Sequence, residues 1–168
     1  AYLRAVESTL PRVREGGALA SALEHAKYTG ASLARVGLDF RPLLEPAFAE
    51  AARNIFERAM DDAVVDFERV AEQHRWAAMP SAAAAAAARP GDPSNDPSND
   101  PNAPPYVLLE HVPVAAFVNG ALAAFNELRH CASSASATAS ARTTRDAIER
   151  AANALARLDR RGAVAEGD

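Results

Sequence analysis

Between residues 46 and 76, Phe56, Met60, Ala63, Phe67, Val70 and His74 recur at alternating four- and three-residue steps. That spacing lines side chains up along one face of an α-helix. Phe48, Ala52 and Ile55 extend the same side toward the N-terminus, while Arg53, Glu57, Arg58, Asp61, Asp62 and Glu68 take the rest of the surface. Pro46 suits a helix start, where a missing N–H costs little. About thirty residues at 1.5 Å rise make a rod roughly 45 Å long. A rod of that length exceeds what a small compact bundle needs, so an extended helical assembly is expected.

Composition points the same way. Apolar residues are 49 % of the 168, yet only 6 % are aromatic, because alanine supplies much of the apolar count. Alanine has the highest helix propensity and buries little area, which favours helices packed closely by small side chains over a sheet. Strand-forming runs of Val, Ile, Thr and Tyr are nearly absent.

Shorter helices flank the seam. One is expected over 2–15, interrupted by Pro11 and ended by Gly16-Gly17. A second runs over 18–36 with Leu19, Leu23, Ala26, Ala31, Leu33 and Val36 as its apolar side, a weak point at Gly30 and a C-terminal cap at Gly37. Residues 79–105 change character abruptly: seven alanines follow Ser81, then Arg89-Pro90-Gly91 and a tandem Asp-Pro-Ser-Asn repeat. Proline every fourth residue blocks helix, and the polar residues between bury too little to offset chain entropy, so a disordered linker is expected. A further helix over 113–131 carries Val114, Phe117, Val118, Ala121, Leu122, Phe125 and Leu128 on one face. After a Ser/Ala loop over 133–141, the last helix is expected to start near Thr143, to turn Ile148, Ala151, Leu155 and Leu158 inward, and to stop at Gly162. The implied organisation is a helical hairpin region over 1–78, the linker 79–105, and C-terminal helices over 106–168 packing back on the first region.

Charge and cysteine content narrow the function classes. The net charge of −4, with no long basic block, argues against a nucleic-acid partner. Cys131 is the sole cysteine and no Asn-x-Ser/Thr acceptor occurs, which points to a reducing compartment. No apolar run reaches the roughly 18 residues a membrane span needs, so any membrane association is expected to be peripheral. The chain opens on Ala1 directly into helix-like sequence, as expected of a start inside a longer protein.

No catalytic constellation emerges. His25, His74, His111 and His130 lack zinc spacing to one another or to Cys131. Glu127-Leu-Arg-His130 has the Glu-x-x-His form of helix-bundle di-iron sites, but those need a second copy and two more glutamates, so it reads as a solvated helix end. The serines lack a nucleophile elbow, and the glycines form no phosphate cradle. No cofactor is therefore expected. Asp39-Phe40-Arg41 with Arg35 forms a charged cluster at a helix–helix hinge, read as an ion pair or cap that fixes the turn, or else as a partner contact.

Two stretches carry a resemblance. Residues 28–48 (YTGASLARVGLDFRPLLEPAF) and 107–131 (VLLEHVPVAAFVNGALAAFNELRHC) are similar to the subunit 8 family of the conserved oligomeric Golgi complex. Gly30, Ser32, Arg35, Gly37, Asp39, Phe40, Arg41, Pro46 and Phe48 fall in the family's order, and Phe117, Asn119, Phe125, Asn126, Leu128 and Arg129 do so after the linker. The first 27 residues and the tail beyond Cys131 are similar only loosely. The resemblance implies an all-α rod of the vesicle-tethering type, cut from the family's C-terminal half. It also implies a peripheral protein on the cytosolic face of the Golgi, acting in intra-Golgi retrograde transport without catalysis, beside subunits 5, 6 and 7 and bridging to subunit 1. A stand-alone cytosolic helical adaptor is the alternative.

Overall fold

The computed structural model describes residues 2–74, 76, 111–131 and 137–165. They form α1 (Tyr2–Thr9), a 3-10 turn (Leu10–Arg12), α2 (Gly16–Ala34), α3 (Arg41–Gln73), α4 (Val112–Cys131) and α5 (Ala137–Ala165). The fold is all-α, with no strand among the described residues. The linker expected over 79–105 lies outside them.

The rod α3 is the spine. Its buried positions run Leu44, Phe48, Ala52, Phe56, Met60, Val64, Phe67 and Ala71. These steps are mostly of four residues, longer than a 3.6-residue turn, so the buried stripe rotates by roughly half a turn from end to end. Phe48 and Ile55 therefore do not share a side with Phe67, as the simple seam implies. Leu44, Phe48 and Ile55 pack with Leu10, Leu19 and Ala26 from the 3-10 turn and α2. Phe56, Met60 and Val64 meet Ala124 and Leu128 of α4 and Ala147 of α5. Phe67 and Ala71 meet Ala151 and Ala154 of α5. Val70 and His74, the expected end of the seam, are only half buried.

Helix boundaries differ from expectation for local reasons. The rod begins five residues before Pro46, at Arg41, with Pro42 in its first turn and Pro46 inside it. Pro46 leaves one carbonyl without its helical donor, a loss α3 tolerates near its end. Pro11 turns the end of α1 into a 3-10 turn, and Gly16 starts α2 instead of ending a helix. The last helix begins at Ala137, where alanines extend it, and Thr143 Oγ1 donates to the Ala139 carbonyl at 3.2 Å from inside it. It also runs past Gly162.

Two glycines set how closely α4 is approached by its neighbours. A Cβ on Gly120 would lie 2.6 Å from the Cβ of Ala63, so α4 crosses α3 at van der Waals contact. This fixes the rotation of α4. Leu122, two residues or about 200° further round, must point away, and Val118, Leu122 and Phe125 are 48, 56 and 43 % exposed instead of inward. Phe117, Ala121, Ala124 and Leu128 form the inner side. At Gly16 any side chain would overlap the Glu127 backbone carbonyl. There the Gly16 N–H donates to Glu127 Oε2 at 2.5 Å, so a carboxylate from α4 takes the capping role that Glu15, at the N-cap, does not fill.

Candidate partner-binding surface

The turn between α2 and α3 gathers most of the residues the sequence singles out. The Leu38 N–H donates to the Leu33 carbonyl and the Gly37 N–H to the Ala34 carbonyl, both at 3.0 Å, with Gly37 at φ 84°. This is a Schellman closure, which needs a left-handed residue where glycine has no Cβ penalty. Asp39 then opens α3: its Oδ1 accepts from the Arg41 backbone N–H at 3.1 Å, while Arg41 Nε and a terminal guanidinium nitrogen reach Oδ1 and Oδ2 at 2.9 and 2.7 Å. These bonds from Arg41 hold the Asp39 carboxyl at about 2, below the usual range, so the clamp persists at any physiological pH.

Behind the clamp, Gly30 lets α3 approach α2, since a Cβ there would meet Arg41 Cγ at 2.6 Å and Phe40 at 3.5 Å. The Phe40 ring rests on Tyr2, centroids 5.2 Å apart, and Ser32 Oγ donates to the Tyr28 carbonyl at 3.1 Å. Phe48 is buried in the first core cluster, whereas Pro46 and Arg35 are exposed. Arg35 takes no part in the Asp39–Arg41 clamp.

The rigid turn carries apolar side chains into solvent. Tyr28, Val36, Leu38 and Leu43 are 77, 71, 63 and 61 % exposed, and Leu33 is exposed beside them. Single exposed aliphatics are ordinary, but Leu33, Val36 and Leu38 follow one another through one locked turn, an arrangement that suits a contact with a partner. Leu33 and Val36, expected to face inward, are thus on the surface. Beside the tip, a cleft of about 850 Å³ between α2 and α3 is lined by Tyr28, Asp39, Arg41, Glu45 and Phe48, with Cys131 at its far wall. Burial and the Glu127 charge push the Cys131 thiol up, and its Sγ donates to the Glu127 carbonyl at 3.4 Å, so it stays protonated.

The singled-out residues of α4 divide. Phe117 packs edge-on against Phe67 and Phe125 against Phe56, with centroids 5.8 and 5.2 Å apart, and Leu128 is buried. Asn119, Asn126 and Arg129 are exposed. Sequence reasoning missed Glu127 as a cap, because a bond across 111 residues leaves no local signature. It also missed a ring cluster of His74, Trp76 and His111, where Trp76 stacks on His111 at 5.6 Å. No group of metal-ligating side chains occurs among the described residues, and no helix there is long and apolar enough to cross a membrane.

Residues 1–65 match the model of the Dor1-like family. The chain is 34 % identical to conserved oligomeric Golgi complex subunit 8 of Bos taurus over 156 residues, covering 89 % of this chain and 23 % of that protein. The subunits 8 of Homo sapiens and Drosophila melanogaster are 34 and 36 % identical over 77 and 81 % of this chain, and 21 and 23 % of theirs. The family match takes in the first 27 residues, where similarity was expected to be loose. The chain spans less than a quarter of the length of these curated relatives, and no solved structure matches it.

Proposed function

Because this chain is a relative of the conserved oligomeric Golgi complex subunit 8 proteins along about four-fifths of its own length, we propose that it is a structural segment of a Golgi tethering complex, working by protein–protein binding in intra-Golgi retrograde transport. The names of its relatives denote a complex subunit and no enzyme. The observation that carries the reading to this chain is the clamped α2–α3 turn, which holds Val36, Leu38 and Leu43 out in solvent. Such a surface is expensive to keep exposed and inexpensive to cover with a partner. We place the protein at the cytosolic face of the Golgi, attached peripherally through its complex. Subunits 5, 6 and 7 are proposed as neighbours, with subunit 1 bridged.

Tagged protein in cells should recover the other subunits and concentrate at the Golgi. A diffuse protein that recovers none of them would sink the proposal. Leu38→Asp adds a charge to an already exposed position, so the purified protein should keep its melting temperature while recovery of at least one subunit falls.

A further inference from the structure

Away from the turn, α4 leaves three large apolar side chains about half exposed at i, i+4 and i+7, Val118, Leu122 and Phe125, the last with one side of its ring on Phe56. Across from them on α5 is Ile148, 53 % exposed. Ile148 lies on the flank of α5 shared with Leu155, which belongs to the cluster that Phe117 of α4 packs against. The opposite flank carries Arg150 and Arg157, which reach back to Asp61 and Glu68 of α3. Ile148 therefore faces α4. The two helices run antiparallel on α3, since Leu128 lies level with Ala147 and Phe117 with Ala151 and Ala154. The helices α4 and α5 meet along their inner edges, where Ala124 and Leu128 share a cluster with Ala147, and Phe117 packs on the cluster of Ala151 and Ala154. Outside that line Val118, Leu122 and Phe125 on one helix and Ile148 on the other stay about half exposed, the two walls of an apolar valley.

One end of the valley is basic. Arg129 continues the Val118, Leu122, Phe125 stripe by one more turn, and Arg145 precedes Ile148 by one turn on α5. Both are exposed, and among the described residues neither has a carboxylate within ion-pair distance, unlike Arg150 and Arg157. We infer that the valley between α4 and α5 seats an amphipathic helix of a partner polypeptide, apolar at i, i+3/i+4 and i+7 with Asp or Glu at the end beside Arg129 and Arg145. A third helix laid along two antiparallel ones completes the bundle around these side chains. The guanidinium groups of Arg129 and Arg145 set its direction. A second copy presenting its own α4 is a poorer occupant, because the single carboxylate of that helix, Glu127, is engaged by Gly16. A lipid surface is too flat to enter a valley between helices.

A photoreactive benzoylphenylalanine at Leu122, in the protein expressed in its own cells, tests the occupant directly. Cross-linked residues mapped by mass spectrometry should fall on the apolar stripe of one amphipathic helix in another polypeptide, with acidic residues at the Arg129 end. Reversing both charges, with Arg129→Glu and Arg145→Glu, should cut that cross-link roughly tenfold, the loss expected of two ion pairs of about 0.7 kcal/mol each. Reversing the partner's acids to Lys in the same cells should restore it. Cross-links to a second copy of this chain or to lipid, a yield unmoved by charge reversal, or no cross-link at all would each overturn the inference. None of these results bears on Golgi recovery of the tagged protein, so the two proposals fail separately.

Discussion

The spine α3 receives α4 and α5 in different ways. Against α4 it offers large side chains and a glycine crossing: Phe56 and Phe67 meet Phe125 and Phe117 across a contact that Gly120 and Ala63 bring to its minimum. Against α5 it meets mainly small side chains, with Ser140, Ala147, Ala151 and Ala154 as the buried positions. Exposed ion pairs, Arg150 with Asp61 and Arg157 with Glu68, fasten the edge. An aromatic side chain buries several times the apolar area of an alanine, and exposed ion pairs add little. The α3–α4 contact is thus expected to carry the fold, and α5 to be held more weakly although it is the longer helix. Alanine-rich composition governs one junction and not the other.

The largest effect should come from breaking the aromatic junction. Phe56 is 1 % exposed, and Phe56→Asp would bury a carboxylate with no partner, at a cost on the order of 4 kcal/mol, comparable to much of a domain's stability. Thermal unfolding by circular dichroism should show the variant largely unfolded at 25 °C. A melting temperature near that of the wild type would move this face from core to interface. Gly120→Val comes next, because the added atoms must displace Ala63 and its backbone, about 1–3 kcal/mol by overpacking. The double variant Ala63→Gly with Gly120→Val should recover part of that loss if the crossing is the cause. Glu127→Ala removes the carboxylate on the Gly16 N–H and should cost about 1 kcal/mol; Glu127→Gln, which keeps an acceptor oxygen, should cost less. Equal losses for the two would argue against a capping role.

The aromatic junction was legible in the sequence and the alanine junction was not, for a physical reason. Phe56, Met60 and Phe67 are large and recur at helical spacing among charged residues, so only one face could be buried. On the helix of Val112–Cys131 the apolar residues cover more than half the circumference, and periodicity cannot choose between Leu122 and Ala121. The choice was made by Gly120, whose missing Cβ is informative only once Ala63 is seen opposite it. The last helix was misplaced because Ala137 and Ala139 read as loop beside serines, although alanine extends helices. Its inner face shifted by one residue, from Ile148 to Ala147, since small side chains allow the closer approach to α3. At the candidate surface, the Asp39–Arg41 clamp and the Gly37 cap follow from local spacing. The exposure of Leu33 and Val36 does not, because it depends on what α3 leaves uncovered.

The smallest effect tests the other half of the comparison. The side chains of Arg150 and Arg157 are each about half exposed, so solvent screens their pairing with Asp61 and Glu68. Arg150→Ala with Arg157→Ala should cost no more than about 1 kcal/mol together, and the loss should shrink as salt is raised from 0.05 to about 0.5 M, where the screening length falls below that at physiological ionic strength. Global melting temperature is a blunt reading of so small a change. Amide hydrogen exchange is sharper, because it resolves the opening of single helices. In the wild type the amides of Ala147, Ala151 and Ala154 should exchange faster than those of Ala121 and Ala124, and in the double variant the α5 amides alone should quicken further. Equal protection of both helices would mean that alanine packing holds α5 as firmly as the phenylalanines hold α4, and the proposed asymmetry between the two junctions would be wrong.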